Sequence, residues 1–379
     1  MAGTGRFDYL DGIRAVAILA VLALHWASWY TPLFHGGSIG VDLFFVLSGF
    51  IITTMLWRTP TGWVPFLRRR LVRLYPALAG LVLGSLVLYA VVPWAPDSPR
   101  EVAERGVLVL TQTGSVWAAG QSGSLWLPGL QPFGQTWSLA VEWYFYLLWP
   151  VAVLAARRRG WSAGRLAAVC VVAAAAAYLL SLPLSTFPFY FGPTERFGEL
   201  LAGAALALHL QHAGHPIHGH RGTVASGVAL AAVAAYALLG PDGHSPLYRY
   251  VGIPVSVAAA LVLIHTGYGE PAGPVQRLLG HPWLAAVGRS SYSLYLWHVV
   301  PFLLLADAPA PKPVLGLVAV TSAVLLTWLS HRFLERPFLR ARSDVLSPQA
   351  PAAPALRRSP APRAWPAPSP GRRLRSRSG

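Results

Sequence analysis

The sequence predicts an all-α fold: a polytopic membrane bundle of about ten transmembrane helices with a disordered C-terminal tail. Three observations carry that expectation. Of 379 residues, 54% are hydrophobic and only 12% charged, where a soluble domain carries about twice that share of charge. Mean hydropathy is +0.49. Ten apolar stretches reach or approach the roughly 20 residues needed to span a bilayer, and the basic residues divide unevenly between their connections.

The stretches run from about 9 to 30, 38 to 57, 74 to 93, 136 to 155, 165 to 182, 196 to 210, 222 to 239, 250 to 267, 290 to 306 and 313 to 334. The first shows no cleavable-signal pattern, since it is long, contains Arg14 and leads directly to a second apolar segment, so it is expected to stay as an anchor. With the N-terminus inside, only Arg100, Arg105, Arg196, Arg249 and Lys312 of the 30 basic residues fall outside. The positive-inside rule then puts both termini in the cytoplasm and the chain in the cell membrane. Residues 94–135 form the longest outer connection, expected as an interfacial loop with a re-entrant piece around "GVLVLTQTG". The one cysteine, Cys170, lies in an apolar run; it reads as a buried inert thiol and excludes an intrachain disulfide or a cysteine metal site. No metal is expected. From about Asp344 the chain turns to Pro, Ala, Ser and Arg without apolar period. The expected division is therefore a membrane domain over 1–343 and a disordered basic cytoplasmic tail over 344–379. Anionic lipid headgroups account for the tail's charge, and no nucleic-acid partner is called for.

Ionisable side chains at membrane depth are costly and mark sites or buried pairs. Here they are Arg14, His25, Asp42, Glu142, Glu195, Arg196, Glu199 and His298. Arg14 and His25 stand eleven residues apart, which at about 100° per residue brings them to within about 20° on one helix face, separated by roughly 16 Å along the axis. His25, Asp42 and Glu142 all fall in the outer half of their stretches and are expected to converge at one level. A histidine near carboxylates is a general-base arrangement; the bland alternative is a histidine bonded to a backbone carbonyl. Asp42 is open to a second reading as the N-cap of the second helix. In "FLRRRLVRLYP", Arg70 and Arg73 share a face and suit a phosphate clamp, or else serve only as a topology signal.

Five ordered motifs, "LDGIRAVAILAVLALH", "GGSIGVDLFFVLSGFIIT", "FLRRRLVRLYPAL", "QTWSLAVEWYFYLLWP" and "SYSLYLWH", resemble those of the membrane acyltransferase-3 family, bacterial O-acyltransferases acting on polysaccharides, peptidoglycan, glycolipids and macrolides. The resemblance covers about residues 5 to 340. It places the family's arginine–histidine motif on Arg14 and His25, its paired arginines on Arg70 and Arg73, and its acid on Glu142. Its Gly-Val-Asp motif falls on Gly40, Val41 and Asp42 and runs on to Ser48 and Gly49, and its Tyr-Ser motif falls on Tyr292, Ser293, Tyr295 and His298. Val141 and Trp143 flank Glu142 where some members carry a second acid. The sequence shows no SGNH-type hydrolase-like domain, so a two-step scheme completed by such a domain is not expected for this chain alone.

The resemblance implies an acyl-CoA co-substrate, acetyl-CoA being favoured, with phosphates on Arg70 and Arg73 and the pantetheine arm running up from Arg14. It implies a hydroxyl-bearing glycan, glycolipid or secondary metabolite as acceptor. His25 is then the expected base, Glu142 its orienting group, and Tyr295 or His298 an oxyanion donor. The rival from another class is a multi-helix transporter of a polar substrate, which also needs buried charges.

Overall fold

The computed structural model describes residues 5–27, 30–59, 61–125, 129–214, 217, 219–268 and 273–338. The expected tail over 344–379 lies outside them. Among the described residues there is no strand. The helices are α1 (Gly5–Trp26), α2 (Ile39–Arg58), α3 (Trp63–Val91), α4 (Pro99–Leu110), α5 (Gly114–Ala119), α6 (Trp137–Arg158), α7 (Ala163–Ser181), α8 (Thr186–Phe191), α9 (Pro193–His212), α10 (Gly219–Leu239), α11 (Ile253–Gly267), α12 (Pro274–Leu279), α13 (Pro282–Trp297), α14 (Val300–Leu304) and α15 (Lys312–Ser330).

Each of the ten apolar stretches falls on a helix, and among the described residues eight helical segments are long and apolar enough to cross a membrane by length and composition. The two that miss do so for identifiable reasons. Helix α9 carries Glu195, Arg196 and Glu199, and the stretch at 290–306 is broken into α13 and α14. The break follows from Pro301, which has no N–H for the carbonyl of Trp297 and clashes with the preceding turn. Freed carbonyls at membrane depth need new donors. Gln135 Nε2 donates to the carbonyl of Leu296 at 2.6 Å and Trp26 Nε1 to that of His298 at 2.9 Å.

Close helix approaches build the frame. A Cβ on Gly49 would strike the carbonyl of Leu200, and one on Gly203 the carbonyl of Val46, so α2 and α9 touch backbone to backbone. Gly288 meets the carbonyl of Asp11 in the same way, which seats α13 against α1. The expected loop at 94–135 is in large part helical. Helix α4 opens with Pro99 after a capping box, in which the N–H and hydroxyl of Ser98 donate to the Glu101 carboxylate at 2.9 and 2.8 Å and hold it below the usual carboxylate range. Its Val102 and Val109 join Leu78, Leu81 and Val82 of α3 in one buried cluster, so residues 106–110 continue a helix laid on α3.

Candidate active site

Two cavities lie in the interior of the helix frame. One, with an empty volume of about 790 Å³, is lined by Arg14 of α1, Arg70 and Arg73 of α3, Glu142 of α6 and Ser291 of α13. The other, about 1580 Å³, is lined by His25 of α1, His298, Gln135 and the rings of Trp137, Tyr190, Phe191 and Phe302. Val41 and Tyr295 belong to both walls. Along α1 and α13 the arginine-cavity residues come first in sequence, and along α2 and α6 the histidine-cavity residues do. Antiparallel neighbours require that inversion, and it aligns the cavities end to end.

In the arginine cavity, Arg14 donates from Nε and Nη2 to Ser291 Oγ at 3.2 and 3.0 Å. Arg70 lies 5.4 and 5.2 Å from the ring centres of Phe66 and Tyr146. Arg73 Nε is shielded from solvent and has no hydrogen-bond partner. Glu142 accepts from Ser48 Oγ at 2.5 Å and from the Tyr146 hydroxyl at 2.8 Å. Among the described residues, no acid forms an ion pair with Arg14 or Arg73. Three guanidinium groups thus face one carboxylate, a surplus of positive charge that suits an anionic ligand.

In the histidine cavity, His25 Nδ1 lies 2.8 Å from the carbonyl of Val21, and His298 Nδ1 lies 2.8 Å from that of Tyr295. A carbonyl only accepts, so both Nδ1 atoms carry the hydrogen and both neutral rings present Nε2 as an acceptor. The Tyr295 hydroxyl donates to the carbonyl of Gln135 at 2.7 Å and therefore accepts from Ser138 Oγ at 2.8 Å.

These bonds correct three expectations. Glu142 and His25 line different cavities, and both Glu142 oxygens take hydroxyl donors, so the carboxylate does not orient the imidazole. The Tyr295 proton is committed to Gln135, and neutral His298 has no hydrogen on Nε2, so neither is set as an oxyanion donor. Asp42 lines neither cavity. Val41 faces them, and one residue on, about 100° around the helix, Asp42 turns toward α9. There it is fully buried, 2.8 Å from Arg196, with the hydroxyls of Tyr248 and Ser256 donating at 2.8 and 3.0 Å. Arg196 also reaches Glu195 at 3.1 Å and Glu199 at 2.7 Å. Nor is Asp42 a helix cap, since α2 starts at Ile39 with Ser38 in the cap position. The expected convergence of His25, Asp42 and Glu142 thus gives way to three separate environments. Arg196, expected among the ionisable side chains at membrane depth, is wholly buried.

Sequence reading missed Tyr146, Ser291 and Ser138 as partners. Tyr146 follows Glu142 by four residues, the helical-neighbour spacing, and was findable by that signal; the serines come from distant elements and carry none.

A family model described as "Acyltransferase domain" matches residues 7–332. The chain is 27% identical over 351 residues to O-acetyltransferase OatA of Staphylococcus aureus strain NCTC 8325, covering 86% of this chain and 56% of that protein. It is also 27% identical over 356 residues to a protein of strain COL provisionally named an O-acetyltransferase, covering 89% of this chain and 58% of that one. The chain therefore spans a little over half the length of these relatives. No solved structure matches it.

Proposed function

Because the chain belongs to the acyltransferase family, which sets the transporter alternative aside, we propose that it is an O-acetyltransferase of the cell membrane. It takes the acetyl group from acetyl-CoA and passes it to a hydroxyl of a carbohydrate, glycolipid or macrolide-type acceptor. The observation that carries this reading is the arginine cavity, lined by three guanidinium groups and one carboxylate, meeting the histidine cavity at Val41 and Tyr295. The O-acetyltransferase names of the relatives support the acyl group and the acceptor atom. Residues 1–343 form the catalytic domain, with both termini cytoplasmic and the arginine cavity on that side.

Arg70 and Arg73 hold the phosphates of the donor at the cytoplasmic side, where the solvent-shielded Arg73 Nε fits an anionic oxygen. Arg14, fixed by Ser291, flanks the pantetheine arm, whose extended length is comparable to the roughly 16 Å between Arg14 and His25. The thioester then lies between Tyr295 and His25. With Nδ1 bonded to the carbonyl of Val21, Nε2 of His25 takes the acceptor's hydroxyl proton as the oxygen attacks the thioester carbonyl. The new C–O bond forms, the C–S bond breaks, and the proton passes to sulfur to give the free thiol. Positioned base catalysis of this kind is worth about 10²- to 10⁴-fold. Glu142 acts one turn below, where it fixes Ser48 and Tyr146 beside Arg70.

Membranes of the producing cell, with and without the gene, given radiolabelled acetyl-CoA, test the proposal. Gene-dependent, alkali-labile label on an envelope glycan or a secreted metabolite is expected. Equal labelling with and without the gene would overturn it.

A further inference from the structure

The turn at His298 holds more chemistry than one base requires. Its ring is completely buried and its Nε2 has no hydrogen-bond partner. The bond from Nδ1 to the carbonyl of Tyr295 fixes the tautomer, so that atom is an unused lone pair. Holding the broken helix would need Nδ1 alone. The backbone around it is pinned independently, by Trp26 on the carbonyl of His298 and by Gln135 on that of Leu296. The ring meets His25 edge to face, with centres 4.8 Å apart and planes at 79°. On its other side the Tyr295 ring is 5.5 Å away, and Tyr295 stands where the two cavities meet. His298 thus touches both the base and the ring beside which the thioester must break.

We propose that His298 is a second catalytic group, whose Nε2 shares with His25 the proton taken from the acceptor hydroxyl and delivers it to the departing sulfur; this rests on the acyl-transfer reading above. A single imidazolium in a water-poor site is poorly solvated, and a neighbouring lone pair is the group that stabilises it. The proton balance closes within the pair. One proton leaves the hydroxyl for His25 Nε2 and is shared with His298 Nε2, and it ends on the thiolate formed when the C–S bond breaks. Both rings return to their starting tautomer.

The test uses the full-length protein in membranes of its own producing cell, deleted for the gene and complemented with each variant. Label transfer from radiolabelled acetyl-CoA is measured at matched protein levels, alongside retention of labelled CoA. Asn in place of His298 keeps a donor near Nδ1, able to reach the Tyr295 carbonyl, and removes Nε2. H298N should therefore retain CoA yet lose at least about 10²-fold in transfer. H25Q should lose at least as much, and the double variant should fall no further than the worse single variant, because groups acting as a unit are not additive. Added imidazole should restore part of the activity of H298G. Transfer by H298N above one third of wild type, or losses that multiply in the double variant, would overturn the proposal. Failure of the wild-type protein itself to label more than the deleted strain would instead overturn the acyl-transfer reading.

Discussion

Glu142 accepts hydroxyl bonds from Ser48 and Tyr146 and lies across the arginine cavity from no carboxylate partner, so its oxygens fix two donors beside the guanidinium groups. Glu142→Gln removes the charge, replaces one acceptor oxygen by a donor and should turn one of the two hydroxyls from donor to acceptor, loosening its hold beside the guanidinium groups. The expected result is a rise in KM for acetyl-CoA with a smaller fall in kcat, measured by steady-state kinetics on detergent-purified protein. An unchanged KM would detach Glu142 from the donor. Arg70→Ala with Arg73→Ala should likewise raise that KM by about tenfold or more, since a charge-assisted hydrogen bond contributes about 1.5–3 kcal/mol. His25→Gln should leave donor binding intact and lower transfer by at least about 10²-fold. Near-normal transfer would remove His25 as the base. Asp42 and Arg196 predict a different phenotype. Removing one member of a buried ion pair costs about 3–5 kcal/mol, and Arg196→Ala leaves three carboxylates without their cation. That variant should unfold at clearly lower temperature than Asp42→Asn in a thermal unfolding scan. The reverse order would contradict the pairing.

At the scale of elements, the break between α13 and α14 is where backbone irregularity and chemistry coincide. Pro301 ends α13, the freed carbonyls find Trp26 and Gln135, and His298 is left at the turn with its ring in the cavity. Pro301→Ala allows the helix to continue through the turn and would swing His298 away. Transfer should fall while the KM for acetyl-CoA holds, because the arginine cavity is untouched; equal activity would show the turn does not set His298. Much of this element structure was legible beforehand. The ten apolar stretches located every long helix, because hydrophobic length is a property of one segment. The Pro-His spacing at the break was visible in "LYLWHVVPF", yet its consequence depends on donors from α1 and from residue 135, which no local pattern announces. The helical nature of α4 was signalled by "SPREV", a capping-box pattern, and was obscured by the Trp and Pro content around it.

At the scale of the whole molecule, the paired cavities follow from alternating helix direction. Arg14 and His25 share a face of α1, as their spacing predicts, and that face looks first into one cavity and then into the other. That much could be read from a single helix. The partners of the buried charges could not: Asp42 pairs with a residue 154 positions away and Tyr248 joins it from 206, contacts set by how α2, α9 and the turn before α11 come together. The proposed reaction is two-sided, with donor entering at Arg70 and Arg73 and acceptor at His25. The direct measurement is transfer in proteoliposomes of uniform, protease-verified orientation, with acetyl-CoA confined to one side and the native acceptor fraction to the other. Product should form when acetyl-CoA is on the side of the 68–73 arginines and the acceptor is opposite, and should be absent when the two are exchanged. Equal product in both arrangements, or product only when donor and acceptor share one side, would contradict the account.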